Sequence, residues 1–250
     1  MKNPWIAIGV VAVVLIGGSV GYSQWSMQQA NVGVEVIDHV KGNPDAEVTL
    51  LEFSDFECPA CAHMASAVNE VMAMYGDNIR FEYRHFPVIN RNPQALHAAE
   101  AAGQQGKFFE YHDLLFANFE EWTQSPTPTR QLRRFAEELE LDIALWQRHM
   151  RSSVLRNKIR DDFAAGRELG VTGTPTFFLN GERMNFATFD DFLTQIQAAL
   201  GVDPEDLFGG GPAIDIDMEA LEAEMQAELD TNLDGVEVIG DGVTDIELEI

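Results

Sequence analysis

The first hydrophobic signal along the chain is unbroken. Trp5 to Gly21 reads WIAIGVVAVVLIGGSVG, and no charged side chain lies between Lys2 and Glu35. As a helix this run rises about 25 Å, close to the roughly 30 Å of a bilayer's hydrocarbon core. Tyr22 and Trp25 complete the span at the interface, where amphipathic aromatic rings settle. Lys2 and the terminal amine keep the N-terminus cytoplasmic and send the rest across. A cleaved signal peptide has a shorter apolar region, about 7–15 residues, and Ser19-Val20-Gly21 is not an Ala-x-Ala site. The reading is a retained anchor over residues 1–25, with the body outside the cytoplasm.

The rhythm then changes. Residues 26–46 are polar and include the turn signal Gly42-Asn43-Pro44-Asp45. Val48 to Phe53 is apolar on both faces except at Glu52, the pattern of a buried strand. Met64, Val68, Val71, Met72 and Tyr75 fall at helical spacing, and Ile79, Phe81 and Tyr83 alternate with Arg80, Glu82 and Arg84 as in a second strand. From about Pro93 to Leu169 the stripes are helical: Phe108, Tyr111, Leu115 and Phe119; Leu132, Phe135, Ala136 and Leu139; Leu155, Ile159 and Phe163. Val171 to Pro175 breaks the pattern. Thr176 to Leu179 reads as a strand, Asn180-Gly181 as a hairpin turn into a partner strand from about Glu182, and Phe189 to Leu200 as a closing helix. Strand, helix, strand, helical block, hairpin, helix is an α/β domain over residues 26–200 with a helical insertion at about 93–169.

Composition sharpens this picture. With 46% hydrophobic residues the chain can build a core. Its 41 acids against 16 Lys and Arg, net −25, exclude a nucleic-acid partner, which needs a basic face. Residues 201–250 carry no Lys or Arg at all and form an acidic extension, partly flexible. In it, Gly209 to Pro212 reads as a linker, and Ile214, Met218, Leu221, Met225 and Leu229 as a narrow stripe on an acidic helix. Asp230, Asn232 and Asp234, followed by Gly235, fit the first half of a calcium loop. The match departs at the twelfth position, Asp241, so calcium is a weak candidate and no other metal is expected.

Only two cysteines are present, Cys58 and Cys61. That excludes a disulfide-stapled scaffold and a four-cysteine zinc site within the chain. A bridge between them closes too short a loop to restrict the unfolded chain much. A redox pair fits better. At the start of a helix, unpaired N–H groups and the dipole favour a Cys58 thiolate. Pro59 suits the first turn, and Cys61 faces the same side one turn on. Glu57, beside the nucleophile, is expected to raise its pKa by like-charge repulsion. His63, His85 and His97 read as surface or capping residues.

At these residues a resemblance is clear. Residues 42–61, GNPDAEVTLLEFSDFECPAC, and 170–181, GVTGTPTFFLNG, resemble the DsbA-like thioredoxin-fold family of thiol–disulfide oxidoreductases, and GKFFEYHDLLFAN at 106–118 resembles its helical insertion. The resemblance implies an exposed nucleophile at Cys58 and a buried resolving thiol at Cys61. It implies a cis Pro175 facing the pair, and backbone hydrogen bonds from Thr174 to an extended substrate. It also implies that Glu52 moves the proton of Cys61; pairing of Glu52 with an arginine such as Arg84 is the competing reading. No cofactor is implied. The expected partners are exported proteins with thiols or disulfides and a membrane redox protein that recycles the pair. Isomerase or reductase action is the enzymatic alternative, and a non-catalytic binding module or chaperone the other.

Overall fold

The computed structural model of the protein describes residues 4–89 and 91–202; within the first helix, side chains are described from Val13 on. Helix α1 runs from Pro4 to Ala30, five residues past the end expected for the anchor. Its large apolar side chains from Val13 to Met27 stand in solvent, Val13 at 71% exposure and Ile16 at 64%, while Ala30 at its end is buried. Beyond Val20 the helix turns polar, and among the described residues no helix is long and apolar enough to cross a membrane. The anchor therefore rests on the sequence run that starts before Val13.

The body is built on five strands in the order β1-β3-β2-β4-β5. Strand β1 is His39–Gly42, β2 Val48–Ser54, β3 Ile79–His85, β4 Thr176–Leu179 and β5 Glu182–Arg183. Parallel β2 and β3 are joined by α2, Pro59–Tyr75, which makes the crossover unit. Strands β1, β4 and β5 add antiparallel. The short β1 lay inside a segment whose sequence predicted only a turn. It ends at Gly42, whose φ of +85° and close approach to the Ile79 and Gly76 carbonyls leave no room for a Cβ. The β4–β5 hairpin turns at Asn180 (φ 52°) and Gly181 (φ 82°), the two positive values that a two-residue turn requires.

The expected insertion resolves into six helices: α3 Gln94–Gly103, α4 Phe108–Ala117, α5 Phe119–Thr123, α6 Pro128–Glu138, α7 Ile143–His149 and α8 Ser153–Glu168. Helix α9, Phe189–Leu200, closes the domain at Gly201 in the left-handed conformation. Alternation on the sheet sends Leu50, Phe81 and Tyr83 into the main core with α2 and the insertion, while Phe53 packs behind the sheet with Phe86, Val171 and Phe178. Helix α8 lies so close to that rear layer that a Cβ on Gly166 would strike the Phe86 ring. The result for function is that β2 and α2 meet end to end on the front of the sheet, with Cys58 at their junction.

Candidate active site

Strand β2 ends at Ser54, and a tight turn leads into α2. The Cys58 N–H donates to the Asp55 carbonyl at 3.0 Å, and Cys58 is the N-cap of α2 with extended backbone (φ −87°, ψ 120°). Pro59 follows in the first turn, as the sequence indicated. Both thiols are free. Cys61 is fully enclosed, and Cys58, expected to be exposed, is itself buried, with 7% of its surface open beneath the Thr174 loop. The Cys58 thiol donates to the Thr174 carbonyl at 3.4 Å. The Thr174–Pro175 bond is cis, so the loop before β4 and the N-terminus of α2 converge from 116 residues apart.

The two sulfurs sit in opposite electrostatic surroundings. A hydrogen bond from the Cys61 side chain is the largest influence on Cys58; with the Thr174 side chain and the N–H groups of Cys61 and Ala60 it overrides burial and brings the thiol down to about 5. Burial pushes the Cys61 thiol far above its ordinary range, and its bond to Cys58 and the Glu52 charge act the same way. One thiol is a ready thiolate at neutral pH and the other holds its proton.

Glu52 lies on β2, in register with Tyr83 of β3, and is 2% exposed. Burial is the main cause that raises its carboxyl to about 7; the Ser54 hydroxyl opposes this and the Cys58 charge adds to it. Arg84, the expected ion-pair partner, instead binds Glu82 at 2.6 Å on the other face of β3. Glu52 Oε1, Ser54 Oγ and the Tyr83 hydroxyl are all buried with no hydrogen-bond partner among the described residues. Three polar atoms without partners thus share the sheet face against which Cys61 packs.

Other expectations are corrected. Glu57 does not crowd the nucleophile: its carboxylate accepts from the Arg91 N–H (2.9 Å), the Asn92 N–H (3.0 Å) and the Asn92 side chain (2.9 Å). Asp55, which the sequence did not single out, accepts from the N–H groups of Glu57, Val88 and Ile89. Together these acids tie the loop after β3 to the Cys58 turn. His63 is exposed and His97 half-buried, but His85 is not at the surface. It is fully buried, and its Nε2 donates to Glu100 Oε1 at 2.8 Å, as does His39 Nε2 at the same distance. Lys158 reaches that oxygen at 3.3 Å and Asp162 at 2.8 Å. The two imidazoles and Glu100 have donor atoms within 4.8 Å of one another, a spacing suited to a metal. The Lys158 ammonium, however, already supplies the cation, and both imidazole N–H groups are spent on the carboxylate. The cluster reads as a buried hydrogen-bonded network. Asp230, Asn232 and Asp234, with the linker and stripe before them, lie outside the described residues.

Residues 35–198 match the family described as thioredoxin. Among solved structures, a thioredoxin-like oxidoreductase from Silicibacter pomeroyi is 28% identical at a TM-score of 0.57, covering 66% of this chain and 94% of that one. Wolbachia pipientis alpha-DsbA1 is similar in fold, with 19% identity, a TM-score of 0.59, and 69% and 96% of the two chains covered. Bacillus subtilis BdbD gives 21%, 0.55, 68% and 95%. Among curated relatives, the Na(+)/H(+) antiporter NhaA 3 of Salinispora tropica is 40% identical over 149 residues, which are 58% of this chain and 22% of that protein. NhaA 1 of Mycolicibacterium gilvum is 33% identical over 195 residues, 70% of this chain and 30% of its own length. The chain thus spans less than a third of the curated relatives it matches.

Proposed function

The chain belongs to the thioredoxin family, and from that premise we propose that it is a DsbA-like, membrane-tethered, extracytoplasmic thiol–disulfide oxidoreductase acting on exported proteins. One observation carries the reading: a low-pKa thiol at a helix N-terminus, 3.4 Å from the Thr174 carbonyl, with a second, proton-holding thiol one turn below it. A stabilised Cys58 thiolate favours the reduced pair, which makes the Cys58–Cys61 disulfide an oxidant. This supports oxidation over reduction as the working direction.

The steps follow from the two environments. A substrate thiolate attacks Cys58 Sγ of the oxidised pair; the Cys58–Cys61 bond breaks and its electron pair passes to Cys61. Glu52, neutral for part of the time near pH 7, gives Cys61 its proton. A second substrate thiolate then attacks the substrate sulfur of the mixed disulfide and expels Cys58 as a thiolate, a good leaving group at its depressed pKa. The substrate gains a disulfide and the pair ends reduced. Thr174 and Pro175 form the edge along which an extended substrate lies. A membrane redox protein accepts the two electrons when the pair is reoxidised. The N-terminal run holds the domain at the outer face of the membrane.

The test is dithiol-peptide oxidation by the oxidised protein, alongside the reduction potential of the pair. Oxidation that disappears in Cys58→Ser is the expected result, with a potential near the oxidising end of the roughly −270 to −120 mV that Cys-x-x-Cys proteins span. A potential near the reducing end would turn the assignment to a reductase. Absence of exchange would leave a binding module.

A further inference from the structure

Beside the nucleophile, the start of α2 and the α4–α5 corner enclose a groove of about 450 Å³. Pro59, which lines it, follows Cys58 directly, so the groove opens one residue from the reacting sulfur. Phe116 and Phe119 give it an apolar lining, and His63, Glu120 and Glu121 are its exposed polar groups. Thr174 does not line it, so the groove is a surface separate from the Thr174–Pro175 edge.

The two acids differ in a way that matters. Glu121 is paired with Arg134 at 2.8 Å, a bond that fastens α5 to α6. Glu120 has no cation among the described residues, and its carboxylate is met only by the Gln124 side chain. An unneutralised carboxylate therefore stands beside an apolar surface, on a body whose acids outnumber its bases. A charge in that position attracts a cation during encounter and repels an acid, which governs selection more than raw affinity.

Building on the oxidoreductase reading, we infer that this groove is a substrate subsite for an extended segment of an exported protein in which an apolar side chain adjoins a lysine or arginine, close in sequence to the reacting cysteine. Phe116 and Phe119 take the apolar side chain and Glu120 the cation. The neighbouring α2 N-terminus stabilises the Cys58 thiolate, so Glu120 also keeps acidic segments away from a site that would otherwise attract anions.

The experiment uses two single-cysteine peptides that both carry a leucine near the cysteine and differ only in an adjacent Lys or Glu. Each is mixed with the oxidised full-length protein, and formation of the mixed disulfide is followed by rapid quench at low ionic strength. The Lys peptide is expected to react about fivefold faster, as one exposed charge contact allows. That ratio should fall towards one at high salt and invert in Glu120→Lys. Because the readout is a ratio, a general loss of activity cannot imitate it. Equal rates for the two peptides, or a ratio unchanged in Glu120→Lys, would overturn the subsite while leaving the oxidoreductase reading standing. If neither peptide forms a mixed disulfide, that reading falls and the subsite falls with it.

Discussion

At the scale of the residue, the site depends on protons held in unequal places. With its thiol brought down to about 5, Cys58 should be alkylated at a rate that rises from pH 3 to pH 6 and then levels off. Cys61 should stay unlabelled in the folded protein. Mass spectrometry of the reduced protein after brief iodoacetamide treatment checks this, and preferential labelling of Cys61 would reverse the assignment. Glu52 gives a second test. Its folded pKa, about 7, lies above the unfolded value of 4.5, so the native state binds the extra proton and stability falls as pH rises through that window. The penalty is complete above pH 7 and absent below 4.5. Glu52→Gln removes it, with an expected gain of about 3 kcal/mol in urea unfolding at pH 8 and almost none at pH 4. The same substitution should slow the steps in which Cys61 leaves or attacks a mixed disulfide by at least about tenfold, while leaving alkylation of Cys58 in the reduced protein nearly unchanged. A variant that lost stability at pH 8 would point to a cation paired with Glu52.

At the scale of the element, four separate elements are tied together by the Glu100 network. Burial alone would raise the Glu100 carboxyl; the hydrogen bonds from His39 and His85 outweigh it and hold the group well below the usual carboxylate range. Its contribution is fully present above the unfolded pKa of 4.5 and is lost as pH falls through the lower folded value. Glu100→Ala should therefore cost about 3 kcal/mol, because it leaves two imidazole N–H groups without their acceptor in a dry interior and Lys158 with Asp162 as its remaining carboxylate. Unfolding midpoints at several pH values should show a gap that is constant from pH 8 to 5 and narrows below 4.5.

This network also marks where sequence reading stops. Cys58, Cys61 and Glu52 declare themselves because they share one strand–turn–helix run, where period and capping can be read directly. Asn180-Gly181 does so because two positive φ values demand a particular pair of residues. His39, His85, Glu100 and Lys158 belong to four elements, and each looks ordinary on its own. Lys158 and Asp162 even have the i,i+4 spacing of a solvated helix pair. Only the topology makes them neighbours. Helix bounds in the insertion escape a reading of its apolar stripes, which run on from one helix to the next; the bounds are set instead by single residues, Pro128 in the first turn of α6, Asp142 capping α7 and Ser152 capping α8.

At the scale of the whole molecule, the N-terminal run and the body form a single claim about location. Side-chain and backbone contacts attach the end of α1 to the domain. Asn31 Oδ1 accepts from the Ser153 N–H and the Ser152 hydroxyl, both at 2.9 Å, at the point where α8 begins. Membranes from cells producing the full chain should retain it through carbonate washing. A variant that lacks residues 1–25 should be released and still oxidise dithiols. Recovery of the full chain in the carbonate supernatant would refute the anchor.

The Glu100 network has a further consequence, one of rigidity. It pins β1, β3, α3 and α8 at one carboxylate, so the insertion cannot swing away from the sheet without exposing a buried charge. On the oxidoreductase reading, the surface around Cys58 is then a fixed template, and the bending needed for a fit falls to whatever segment meets it.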